Sequence, residues 1–122
     1  MSYEIAKNNI VELLESFGLK RNISNKLIRD DYHNKYFSIN SVEQKITNNI
    51  IGNYIFDIDI AIDINSTEAF DNAQIFFETI VKRLSELNYF MGFNKNPVLK
   101  QMDKNPKRLI GNLNFLIDNF YC

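Results

Sequence analysis

Residues 54–64 read Tyr-Ile-Phe-Asp-Ile-Asp-Ile-Ala-Ile-Asp-Ile, an alternation of period two. Tyr54, Phe56, Ile58, Ile60, Ile62 and Ile64 fall on one side; Ile55, Asp57, Asp59, Ala61 and Asp63 fall on the other. A helix would scatter these residues around its axis, whereas a strand sorts them into an apolar face and an acidic face. At ~3.3 Å per residue such a strand reaches roughly 35 Å, long for a small domain.

Elsewhere the spacing changes. Ala6, Ile10, Leu13, Leu14 and Phe17 recur at helical intervals between Ser2, a suitable N-cap, and Gly18, predicting a helix over 3–17. Residues 19–34 carry no sustained pattern. Residues 36–42 have strand character, and the polar stretch 43–53 is expected to be an extended loop closing a hairpin with the long strand. One of Asn65, Ser66 and Thr67 should cap the next helix, with Asn65 and Glu68 at capping-box spacing. Phe70, Ala73, Phe77, Ile80, Val81, Leu84 and Leu87 then form one wide apolar stripe, predicting a helix over 68–87. Short extended pieces at 89–93 and 98–102 flank a turn at 94–97. After Asn105-Pro106 a last strand is expected over 109–121, with Leu109, Leu113, Phe115, Ile117 and Tyr121 on one face and Asn112, Asn114 and Asp118 on the other.

The expected fold is α+β: a mostly antiparallel sheet packed on one face by two amphipathic helices, in the order α-β-β-α-β-β. At 122 residues the chain fits a single domain, 1–122. With 45% hydrophobic and 24% charged residues it has the composition of a globular protein. A net charge of -1, with dispersed Lys and Arg, argues against an autonomous DNA-binding domain. The single cysteine, Cys122, permits no intramolecular disulfide, which fits a reducing compartment. The first 20 residues lack the basic start and apolar run of a signal peptide, and no stretch reaches the ~20 apolar residues of a membrane-spanning helix.

Asp57, Asp59 and Asp63 share a strand face, so their carboxylates invite a hard-cation reading. Same-face neighbours are ~7 Å apart, which lets Asp57 and Asp59 flank one ion while Asp63 lies too far along. Metal-dependent nucleases often place a strand Asp beside a further Glu and Lys, and no matching Glu-x-Lys follows. A solvated or interface-facing strand surface is the better reading. His33, the single histidine, sits among Asp31, Tyr32 and Asn34 without zinc or triad partners nearby in sequence. The four glycines form no phosphate-cradling loop. Tyr89, Phe90, Phe93, Phe115, Phe120 and Tyr121 read as core rather than as a base-stacking platform, because alternation sends most of them inward.

The succession of elements resembles the tail-terminator proteins of long-tailed bacteriophages and their minor-capsid and tail-completion relatives. The resemblance covers nearly the whole chain. It rests on the amphipathic opening helix ending in Gly18, the long alternating strand 54–64, the capped helix 68–87, and the irregular and long final strands at 89–102 and 109–121. The region before the long strand departs from that pattern, being Asn- and Lys-rich where many relatives are rich in Gly and Pro.

The resemblance implies a structural, non-enzymatic virion protein of the tail or neck, assembled in the host cytoplasm and using no metal or cofactor. Such proteins form a ring, usually hexameric, that caps the tail tube and docks to the head-tail connector. DNA passes through such a ring without specific binding, and a row of carboxylates lining the conduit would repel phosphate. Asp57, Asp59, Asp63, Lys107 and Arg108 are the expected interface or lumen-facing residues, Lys107 and Arg108 as partners for acidic groups of a neighbour or as ordinary solvated charges. Segments 19–35 and 43–53 are the expected partner-contact loops. Two alternatives stand beside this reading: another head-tail adaptor or completion protein, and a small Mg²⁺-dependent nuclease or hydrolase using Asp57 and Asp59.

Overall fold

The structure, a computed structural model, describes residues 3–22, 35–47, 50–64, 66–102 and 107–118. Its elements are α1 (Tyr3–Ser16), β1 (Lys20–Arg21), β2 (Lys35–Thr47), β3 (Ile50–Asp63), α2 (Thr67–Ser85), β4 (Phe90–Phe93), β5 (Leu99–Gln101) and β6 (Arg108–Ile117). The α+β class with a mostly antiparallel sheet is as expected. The expected order α-β-β-α-β-β becomes α-β-β-β-α-β-β-β. One added strand is β1, whose two residues are too few to show any periodicity. The other is a matter of counting: the two extended pieces expected at 89–93 and 98–102 are distinct strands, β4 and β5, where the expected order took them as one, and Pro97 between them has no backbone N–H to offer a ladder.

The sheet runs β1-β2-β3-β6-β4, with β5 beside β4 on the same flank of β6. Only β1 and β2 pair in parallel; β2–β3, β3–β6, β4–β6 and β5–β6 are antiparallel. The expected loop over 43–53 is corrected: β2 continues to Thr47 and β3 begins at Ile50, and these two residues pair. Among the described residues β6 accompanies β3 only from Tyr54 to Asp63. Beyond Tyr54, the described part of the hairpin is therefore a two-stranded arm. Residues 43–53 do not alternate strictly between apolar and polar types, so their spacing carries no strand period.

A bulge between Ile39 and Ser41 inserts Asn40 into β2. Phe37 and Ile39 lie opposite Ile60 and Ile58, and after the bulge Val42 lies opposite Phe56. The extra residue keeps all three apolar side chains on one face; without it the alternation would turn Val42 outward.

That face is the core. Tyr54, Phe56, Ile58, Ile60 and Ile62 of β3 join Leu109, Leu113, Phe115 and Ile117 of β6, with Ala6, Ile10 and Leu14 of α1 and Ala73, Phe77, Ile80 and Leu84 of α2. Phe56 and Phe115, opposite each other in the register, stack with ring centroids 5.5 Å apart. Gly111 of β6 is where α2 comes closest: a Cβ there would lie 2.3 Å from the Phe77 ring, so only glycine admits the ring. At the other helix the Tyr3 ring reaches Tyr54, and Phe17, just past α1, meets Phe76 of α2 edge-on.

The helix ends follow local chemistry. Gly18 takes a positive φ of 83° and donates to the Glu15 carbonyl, closing α1. Ser66 is the N-cap of α2, its hydroxyl accepting from the Ala69 N–H at 3.1 Å. The expected Asn65–Glu68 capping box gives way to this one-residue shift, which puts Ala69 where the box needs a Glu or Gln. Ser2, Asn65, His33 and residues 119–122 lie outside the described residues.

Candidate functional site: the acidic face of the sheet

The face of β3 opposite the core is set by the same alternation that builds the core, and β6 supplies its neighbours. Asp57 pairs in register with Asn114, Asp59 with Asn112, and Asp63 with Arg108. All three carboxylates are only partly exposed.

Asp57 and Asp59 form the centre of a polar network. The Asn112 amide donates to Asp57 Oδ1 and Asp59 Oδ1, both at 2.9 Å. An amide nitrogen carries two hydrogens, one for each carboxylate. Asn114 Nδ2 donates to Asp57 Oδ1 at 3.2 Å, and Asn40 Nδ2 reaches Asp57 Oδ2 at 3.3 Å. Ser38 donates to the Asn40 carbonyl oxygen, and Asn94 to that of Asn114. The bulge thus has a second consequence: it aims Asn40 across the strand at Asp57. Neutral amides, which donate without adding charge, surround Asp57. Each amide N–H aimed at a carboxylate oxygen offsets part of the repulsion between the two neighbouring acids. Among the described residues no group of three or more His, Cys, Asp or Glu side chains gathers at one point.

Asp63 and Arg108 behave differently. Arg108 Nε donates to Asp63 Oδ1 at 2.7 Å and its terminal nitrogen to Oδ2 at 3.2 Å, a two-pronged ion pair. Arg108 is only 4% exposed and its guanidinium lies 5.1 Å from the centre of the Tyr36 ring. The hydrogen bond that Arg108 donates to Asp63 holds its guanidinium above its usual pKa, against the opposing effect of burial. The two expected contact residues are therefore partners of each other within the chain. Lys107 is exposed, and its carbonyl accepts from the Ile64 N–H.

Sequence reasoning placed Asp57, Asp59 and Asp63 on one face and Asn112 and Asn114 on a face of the last strand, but did not join them. The joining signal is the matched rhythm Asp-x-Asp and Asn-x-Asn on two strands of equal alternation. Asn40, Asn94 and the Asp63–Arg108 pair had no such signal, since each depends on a bulge, a turn or the register.

A cavity lies elsewhere, beside the first turns of α2. It measures about 290 Å³ and is lined by Lys35, Ile62, Asp63, Ile64, Ala69, Asn72, Ala73 and Phe76. Lys35 Nζ sits 4.2 Å from the centre of the Phe76 ring. Enclosure and the Asp57–Asp59 pair thus do not coincide, which separates this surface from the usual concave site with convergent polar groups. No described helix is long and apolar enough to cross a membrane. The chain matches no model of a known protein family and no curated protein.

Proposed function

We propose that the chain is a structural subunit of a phage tail or neck, capping the tail tube as a ring and joining it to the head connector. The observation that carries this reading is the β2–β3 hairpin. Its strands pair out to Thr47 and Ile50, while among the described residues β6 accompanies β3 only as far as Tyr54. A two-stranded ribbon is marginal in water, so an arm of this kind favours a partner that covers it. The order of elements supports the same reading: an opening helix, a long hairpin, a Ser-capped helix, a broken strand and a long closing strand.

In this reading both helices cover the Ile/Phe face and leave the acidic face toward the lumen or a neighbouring copy. Carboxylates held in place by amides would repel passing phosphate and let DNA slide. The runner-up at the same joint is another head-tail adaptor or completion protein. The reading from another class is a Mg²⁺-dependent hydrolase at Asp57 and Asp59, motivated by the amide that the two carboxylates share.

The test is to add the protein to polymerising tube subunits of the same particle. Growth should stop, and negative-stain images should show a ring at one tube end. Tubes that lengthen unchanged and carry no bound protein would overturn the proposal. A melting temperature raised several degrees by Mn²⁺ in a protein that stays monomeric would favour the hydrolase instead.

A further inference from the structure

We infer that copies of this chain join head to tail through the two opposite edges of the sheet, residues 41–44 of β2 in one copy lying beside β4 of the next. The inference rests on the ring reading and names the surfaces that would close the ring.

Among the described residues the topology leaves both edges open. β1 pairs only with Tyr36 and Phe37 of β2, and Asn22 N–H donates to the Phe37 carbonyl just beyond. From Ser38 onward, β2 has a strand partner on one side only among the described residues. On the far flank, β4 has β6 on one side and no described strand on the other. Each edge presents backbone N–H and C=O groups that another strand can satisfy.

Irregularities confine the pairing to one run. Bulges fall between Ile39 and Ser41 and between Gln44 and Ile46, so 41–44 is the regular stretch between them. β4 is likewise four residues long, with its own irregularity between Phe90 and Gly92. Bulges discourage indiscriminate edge pairing and fix where it can occur.

The chemistry of the two edges agrees side by side. On the core side, Ile39 and Val42 at one edge and Phe90, Phe93 and Leu99 at the other are only partly buried against the core. Joining the edges brings these rows together and continues one apolar face across the boundary. On the other side β2 offers exposed Ser41 and Glu43, while the far edge offers exposed Met91, Lys95 and Lys100. Glu43 thus faces a flank of opposite charge. The two patches differ from each other, so the contact is heterologous and propagates as a ring or filament rather than a two-fold dimer.

Cysteine cross-linking tests this, in a Cys122→Ser background. One population carries Ser41→Cys or Glu43→Cys, a second carries Met91→Cys, and a control carries Ile75→Cys on exposed α2. The populations are mixed at high concentration, with and without tail tubes, and oxidised. A disulfide between the β2 and Met91→Cys populations should dominate, with only traces to Ile75→Cys. Assemblies that cross-link equally to Ile75→Cys, or no cross-link under either condition, would overturn the inference. Met91→Lys adds a second readout: it should abolish assembly while leaving the melting temperature of the monomer unchanged, and normal assembly would count against the edge. Edge cross-links in protein that leaves tubes uncapped would overturn the capping reading alone. Capping without edge cross-links would overturn the edge inference alone.

Discussion

The two faces of β3 are made from alternate residues of the same strand, yet different forces hold them. On one face Phe56, Ile58 and Ile60 are fully buried against β6 and the helices, and their stability comes from apolar area removed from water. On the other, Asp57 and Asp59 stay partly exposed and are positioned by amide hydrogen bonds from Asn112, Asn114 and Asn40. Such bonds replace bonds to water, so at these partly exposed carboxylates each contributes only about 1–2 kcal/mol net. The contrast teaches that the apolar face is held by packing, whereas the acidic face is held in shape at little energetic gain. Substitutions should therefore be severe on the first and mild on the second, with the Asp63–Arg108 pair in between.

The largest effect is expected at the helix–sheet contact. Phe77→Ala removes a ring that is 2% exposed and should destabilise the fold by about 3–5 kcal/mol in denaturant unfolding. Gly111→Ala forces a Cβ into that ring and should destabilise by about 2–3 kcal/mol. The two changes share one space, so Gly111→Ala should destabilise far less in a Phe77→Ala background. Simple additivity of the two would show that the close approach of α2 to Gly111 is wrong.

The ion pair should respond asymmetrically. Asp63→Ala strands a guanidinium that is 4% exposed and should cost about 2 kcal/mol. Arg108→Met should cost less, because the Asp63 side chain is 32% exposed and can turn to water. Equal losses would contradict the unequal burial. The Arg108 pKa is raised in the fold, so its contribution is complete below the ordinary guanidinium range and is lost only as pH climbs through the raised value. The Arg108→Met deficit should therefore be the same at about pH 6 and pH 9, both far below that range.

On the acidic face Asp57→Ala should cost about 1–2 kcal/mol, less than the sum of its three hydrogen bonds because the released amides remain within reach of water. A loss matching Phe77→Ala would mean that the two faces are not held by different forces. The hairpin arm sharpens the contrast further: amide hydrogen exchange near 50–53 should be fast in the free protein and slow once copies assemble. Unchanged exchange on assembly would remove the arm from the interface.

What the sequence revealed follows the same division. The alternation of β3 and the stripe of α2 were legible because burial on one side imposes a period on the residue types. The arm was read as a loop because Glu43, Gln44 and Lys45 are three polar residues in a row, with no alternation to mark a strand. β1 was invisible, since the pairing of Lys20 and Arg21 with β2 is decided by β2 and not by the two residues themselves. Arg108, beside Lys107 and Pro106, looks like a surface charge; only the register that sets it opposite Asp63 reveals its burial. The acidic row itself was legible, but its hydrogen-bond partners were not, because Asn40 reaches Asp57 through a bulge that also hides in the spacing of Phe37, Ile39 and Val42.

The most direct test is a cryo-EM reconstruction of the particle's neck with this chain in place. The account predicts a ring of copies on the end of the tail tube, joined through the β2 and β4 edges, with Asp57 and Asp59 facing the lumen or a neighbouring copy. A chain absent from the neck, or present with Asp57, Asp59 and Asp63 enclosed within single subunits away from lumen and partners, would contradict it.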